Sequence, residues 1–360
     1  MNLEHRIGQL LIIGLPGPQL DLMTRSLLQT IQPGGILLNT HNIESAQQVA
    51  ELTSAIRSLI NVPPIIAIDQ EGGRVDRLKH IYTPMPSADL LRASGEAAVA
   101  GRMGEIAAEA LRTLGFNVNF APVLDIAADD GANNGLKGRY LGSNLAEVVR
   151  LGGAYLEGLQ HGGVVGVGKH FPGLGPAVID SHSELPTIDR PREDILKYDI
   201  APYTELFSKI NARLNAVIIA HAHYPAFDGP APLASSLSKN IATSLLREEL
   251  GFKGLTITDD LEMGAITGTR DLSEAAVMAI EAGLDMVLIA GSQERATTAW
   301  EAMVKAAEEG RITKSHISRS FDHLARIKSM LSPPHAFSDQ AVTRLRERIG
   351  ELNLILQHSK

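Results

Sequence analysis

A chain of 360 residues, 44% hydrophobic and 21% charged, can bury a large core, and without cysteine it can build neither a disulfide framework nor a thiolate metal site. A net charge of −8 with no cluster of Lys and Arg argues against nucleic acid or an anionic membrane as the main partner. No apolar run is long enough to span a bilayer, and the first, Leu10 to Leu15, stops at Pro16-Gly17, too early for a signal sequence, so a cytoplasmic location is expected.

Short runs rich in Ile, Val and Leu recur near residues 9–15, 35–39, 64–69, 118–125, 164–169, 216–221, 255–259 and 286–290. They are continuous rather than alternating, the pattern of parallel strands covered on both faces. Helical patterns fill the intervals, at 44–59, 95–114, 144–160, 192–210, 239–250 and 274–282. Ser238 suits an N-cap, and Gly115 and Gly251 stand where helix-ending glycines belong. Eight such units predict an α/β fold, a (β/α)8 TIM-type barrel. The alternative is a doubly wound open sheet, which is weakened because no Gly-x-Gly-x-x-Gly opens a helix after the first strand. The tail after Ser292 reads as extra helices at 294–309, 314–331 and 340–357, interrupted by Ser332-Pro333-Pro334. The expected division is a barrel over residues 1–335 and a helical extension over 336–360.

Barrel chemistry gathers at the carboxyl ends of strands, so the polar residues there carry the functional argument. The third strand runs into Asp69-Gln70-Glu71-Gly72-Gly73-Arg74-Val75-Asp76-Arg77. The fourth ends at Asp125, before a Gly/Asn loop containing Arg139. The fifth leads into Lys169-His170-Phe171-Pro172-Gly173-Leu174-Gly175 and then Asp180-Ser181-His182. The sixth ends in His221-Ala222-His223 and the seventh in Thr258-Asp259-Asp260. Charge placed beside core strands is costly unless paired or used. Only one of Asp259 and Asp260 can face the mouth, because successive strand residues point to opposite faces. Glu71 and Arg74 fit either a site or a structural ion pair. For His221 and His223 no metal pair is expected, and no cofactor is implied.

The four segments beginning at Asp69, Lys169, Asp180 and Thr258, in order and with compatible spacing over most of residues 1–330, resemble the glycoside hydrolases of family 3. Within them they resemble the single-domain bacterial β-N-acetylhexosaminidases that recycle cell-wall fragments. The resemblance implies a barrel and roles for particular residues. Asp259 would be the nucleophile of a retaining reaction through a covalent glycosyl-enzyme intermediate. His182, oriented by Asp180, would be the acid/base in place of the usual second carboxylic acid. Asp69, Arg77, Arg139, Lys169 and His170 would bind the N-acetylhexosamine or shape its pocket. The implied partner is a small carbohydrate, an N-acetylglucosamine-containing muropeptide, acted on by a monomer or homodimer. Gly173 and Gly175 suit a mobile loop carrying the His. One stretch departs from the family: Leu174-Gly175-Pro176-Ala177 stands where His-Gly-Asp-Thr or Ser is usual. Alternatives are a phosphorylase, since a neutral His does not repel phosphate; a β-glucosidase of the same family; and a non-catalytic sugar-binding barrel.

Overall fold

The computed structural model describes residues 1–127 and 133–358. The apolar runs form eight strands: β1 Leu11–Gly14, β2 Gly35–Leu37, β3 Ile65–Ile68, β4 Val118–Asn119, β5 in two segments, Val165–Gly166 and Gly168–Phe171, β6 Ala216–Ile219, β7 Leu255–Asp260 and β8 Met286–Ile289. All pair in parallel, in the order β5 first segment, β4, β3, β2, β1, β8, β7, β6, β5 second segment. The two ends of that order are halves of one strand. The sheet therefore closes on itself, and the open-sheet alternative is excluded.

Closure explains why the strands read as continuous hydrophobic runs. Ile12, Ile65, Ala67, Val165, Ile257 and Leu288 fill the barrel interior. Their neighbours Leu11, Ile13, Ile66, Ile68, Val287 and Ile289 pack outward into a core beneath the helices. Both faces are buried, so both demand apolar side chains. The amino-terminal end is plugged by the helix Lys314–Met330, whose Leu324 and Ile327 join the interior cluster. Beside that plug Asp285 accepts from Arg247 at 2.7 Å, from His323 at 2.9 Å and from the Thr256 amide at 2.9 Å.

Two helices depart from expectation. Residues 192–210 do not form one helix: a turn at Arg192–Asp194 widens into a π-helical stretch, Ile195–Asp199, and an α-helix restarts at Ala201–Phe207. Pro202 has no N–H to continue the ladder, which explains the restart. Asn240–Glu249 is also wound as a π-helix, and Ser238 Oγ accepts from the Ile241 amide at 3.1 Å, as its capping position predicts. Gly115 and Gly251 both adopt the left-handed backbone that ends a helix.

The tail helix Asp339–His358 lies across the segment that follows β3. Arg346 Nε donates to the Ile81 carbonyl at 2.8 Å and Asn353 Nδ2 to that of Pro84 at 2.9 Å. Leu345, Ile349 and Leu352 are buried beneath it. No helix among the described residues is long and apolar enough to cross a membrane.

Candidate active site

The mouth of the barrel is built around one buried lysine. Lys169 leaves β5 with its Nζ 2.5 Å from Asp69 Oδ1 and 2.7 Å from Glu71 Oε1. Glu71 also grips Arg139 with both oxygens, at 2.7 and 2.8 Å, a bidentate fork. Burial would push the Glu71 carboxyl up, but Lys169 and Arg139 outweigh it and hold the group far below the usual carboxylate range. Burial would likewise lower Lys169, yet Asp69 and Glu71 keep it above its ordinary value. Glu71 thus pairs with Arg139 and Lys169 rather than with Arg74, whose Nη1 reaches out to the Lys137 carbonyl at 3.1 Å. Arg77 is half-buried on the same loop, and its Nε is buried without a partner among the described residues. The loop is stiffened by Asp76, which accepts from Gln70 Nε2 at 2.7 Å and from the Met85 amide at 2.7 Å.

Asp125, fully buried at the end of the fourth unit, orients His170. Its Oδ2 lies 2.7 Å from His170 Nδ1, and its Oδ1 accepts from the Leu174 amide at 2.6 Å. A carboxylate can only accept, so Nδ1 carries the proton, and Nε2 is left to accept from Arg139 at 3.4 Å.

Both acids of β7 have distinct tasks. Asp260 Oδ1 accepts from the amides of Glu262 at 3.1 Å and Ala290 at 3.3 Å, capping the turn and tying β7 to β8. Burial pushes its carboxyl up to about 7. Asp259 faces the cations instead. Burial would raise it, but His170, His221 and Lys169 hold it below its ordinary value, ionised at neutral pH. Burial pushes the His221 imidazole below its ordinary value, Asp259 opposes that shift, and the neighbouring His182 adds to it. His221 Nε2 donates to the Asp260 carbonyl at 3.0 Å and its Nδ1 faces Ser236 Oγ at 2.8 Å, so it braces the β7 turn. His223, two residues on, contacts the Leu233 carbonyl at 3.3 Å. The pairing register shifts in β5 against β6 and in β7 against β8, the two strands that deliver Lys169 and Asp259. Bulges of this kind re-aim side chains at barrel rims.

The Asp180–His182 pair stands above this floor. His182 Nδ1 lies 2.7 Å from Asp180 Oδ1, which also accepts the His182 amide at 2.9 Å. Nδ1 carries the proton, so Nε2 is the working atom. The His182 side chain is 68% exposed, open to an incoming molecule. The loop root is anchored rather than free. Leu174 and Ala177 are buried in an apolar cluster with Phe171, Tyr203 and Tyr224. Gly173 rests on Asp199 and gives its carbonyl to Tyr224 Oη at 2.8 Å, and a Cβ on Gly175 would fall 2.0 Å from the Ile126 carbonyl. The two glycines are where close packing requires them, not at an open joint.

The sequence located the strand-end residues but missed two that organise them. Glu71 is the shared partner of Arg139 and Lys169, and Asp125 holds His170. In the sequence Glu71 reads only as a site residue or an ion-pair partner of Arg74, and Asp125 only as an acid at a strand end.

Comparisons with known proteins give the chain's relatives. The family model "Glycosyl hydrolase family 3 N terminal domain" matches residues 2–327. Beta-hexosaminidases of Alkalilimnicola ehrlichii and Idiomarina loihiensis are 36% and 32% identical to this chain over 290 and 302 residues, covering 79% and 83% of it and 81% and 88% of their own length. A solved glycoside hydrolase family 3 beta-N-acetylglucosaminidase from Paenibacillus sp. superposes with a TM-score of 0.89 at 36% identity, over 98% of this chain and 69% of its own.

Proposed function

The chain belongs to glycosyl hydrolase family 3, and from that premise we propose that it is a retaining exo-β-N-acetylglucosaminidase acting on peptidoglycan fragments in the cytoplasm. The observation that carries this reading is the Asp180–His182 pair, 2.7 Å apart, held beside the β7 turn that bears an ionised Asp259. In the first step Asp259 attacks the anomeric carbon as the glycosidic C–O bond breaks, and His182 Nε2–H gives its proton to the departing oxygen. Asp180 keeps the ring oriented and stabilises the imidazolium. In the second step the neutral ring takes a proton from water, which attacks the anomeric carbon and releases Asp259, so the β configuration is retained. Asp69, Arg77, Arg139, Lys169 and His170 bind or frame the sugar.

The test is turnover of an aryl β-N-acetylglucosaminide and of an anhydro-muropeptide. Asp259→Ala and His182→Ala should each lose about 10³-fold or more in kcat while remaining folded. The first-formed sugar should be the β anomer by NMR, and a fluorosugar should label Asp259 by mass spectrometry. Full activity of Asp259→Ala would sink the reading. Release of sugar 1-phosphate instead of free sugar in phosphate buffer would replace it with phosphorolysis.

A further inference from the structure

The turn that carries the dyad is held between two other loops, and at each contact a glycine leaves no room for a side chain. On one side Gly135, with φ +75°, lies so close that a Cβ there would sit 2.6 Å from Asp180 Oδ2 and 2.8 Å from its Cγ. The Gly135 carbonyl accepts from Arg139 Nη1 at 3.1 Å, and Arg139 is fixed by its fork to Glu71. The pocket floor therefore places Gly135, and Gly135 places the Asp180 carboxylate. On the other side Gly264, shortly after Asp259, donates its amide to the His182 carbonyl at 2.9 Å, and Ala265 donates to that of Ser181 at 3.2 Å. A Cβ on Gly264 would fall 2.2 Å from the Ser183 carbonyl. The backbone that follows the nucleophile is thus bonded directly to the backbone of the acid/base.

We propose that Gly135 and Gly264 are positioning residues that hold the Asp180–His182 unit in place beside the turn that bears Asp259. The proposal rests on the hydrolase reading above. Each acts by the close approach it permits, and a methyl group at either would meet the turn that carries the dyad: Asp180 from Gly135, and Ser183 and His182 from Gly264.

A leaving-group comparison isolates that effect. A dinitrophenyl β-N-acetylglucosaminide departs without a proton, whereas an alkyl β-N-acetylglucosaminide needs one, so only the second depends on a placed acid. Gly135→Ala and Gly264→Ala should each lower kcat/KM on the alkyl substrate by about 30-fold or more, yet stay within about threefold of wild type on the dinitrophenyl one. The ratio of the two values does not depend on the fraction of folded enzyme, so partial misfolding cannot imitate the result. Gly138→Ala is the control: the residue has a similar φ of +79°, but its Cβ would meet nothing nearer than 3.6 Å, and its ratio should match wild type. If wild type cleaves both substrates but the two variants lose equally on both, or behave as Gly138→Ala does, the clamp is wrong and the hydrolase reading stands. If wild type cleaves neither, the hydrolase reading fails and takes the clamp with it.

Discussion

Asp259 and Asp260 are adjacent acids with opposite titrations, and the contrast is useful. Asp259 is surrounded by cationic and imidazole groups and stays ionised, while burial lifts Asp260 to about 7. A carboxyl whose folded value is raised binds more protons folded than unfolded between roughly 4 and 7, so its contribution to stability declines as pH rises through that window. Asp260→Asn keeps an oxygen to accept from Glu262 and Ala290 and removes the charge. Relative to wild type, its urea midpoint should gain between pH 5 and pH 8, and its kcat should stay within about tenfold of wild type. Asp259→Asn should instead lose about 10³-fold or more. The alternation argument foresaw that one acid would face the mouth and the other a neighbour. It could not say what the second would hold, because the Ala290 amide comes from a strand distant in sequence. Glu71 was illegible for the same reason: its natural local partner is Arg74, and only the closed barrel brings in Arg139, 68 residues away.

At the scale of elements, the loop from Gly173 to His182 holds the stretch, Leu174 to Ala177, that departs from the motif the resemblance implies. The side chains of Leu174 and Ala177 both go into the core. Leu174→Ala removes buried methyl groups and should cost about 2–4 kcal/mol, borne mainly by this loop. Amide hydrogen exchange should accelerate across residues 173–183 more than in the barrel strands; uniform acceleration would mean the loop is not the unit that Leu174 secures. The strand and helix positions were legible because period and composition are local. The irregular stretch at 195–199 was hidden because a single Pro202 within a helical pattern gives no sign of whether the chain kinks, widens or stops.

For the whole molecule, buried carboxylates lie near both ends of the barrel. At the mouth, Glu71 is held low by Lys169 and Arg139 despite burial. At the plugged end, burial would raise Asp285, but His323 and Arg247 hold it low. Groups whose folded values are depressed give stability that is complete above their unfolded values, roughly 4, and lost as pH falls through the folded ones. Thermal or urea midpoints should therefore drop steeply below about pH 4, and Lys169→Met, which strips Glu71 of one partner, should cost about 3–5 kcal/mol at neutral pH. A midpoint unchanged from pH 5 to pH 3 would contradict that account. The apolar runs made parallel strands covered on both faces readable, but a barrel and a doubly wound sheet share that pattern, and closure itself rests on the pairing of β5 with both β4 and β6, which joins residues distant in sequence.

The plug at the amino-terminal end has a consequence for traffic. With Leu324 and Ile327 packed into one end and side chains filling the interior, the described residues leave the mouth as the way in to Asp259. In a two-step reaction the departing alcohol and the incoming water must use it in turn. In the reaction proposed above the alcohol would leave first while the sugar is held on Asp259, and the pace at which the mouth clears would set when the second step can begin.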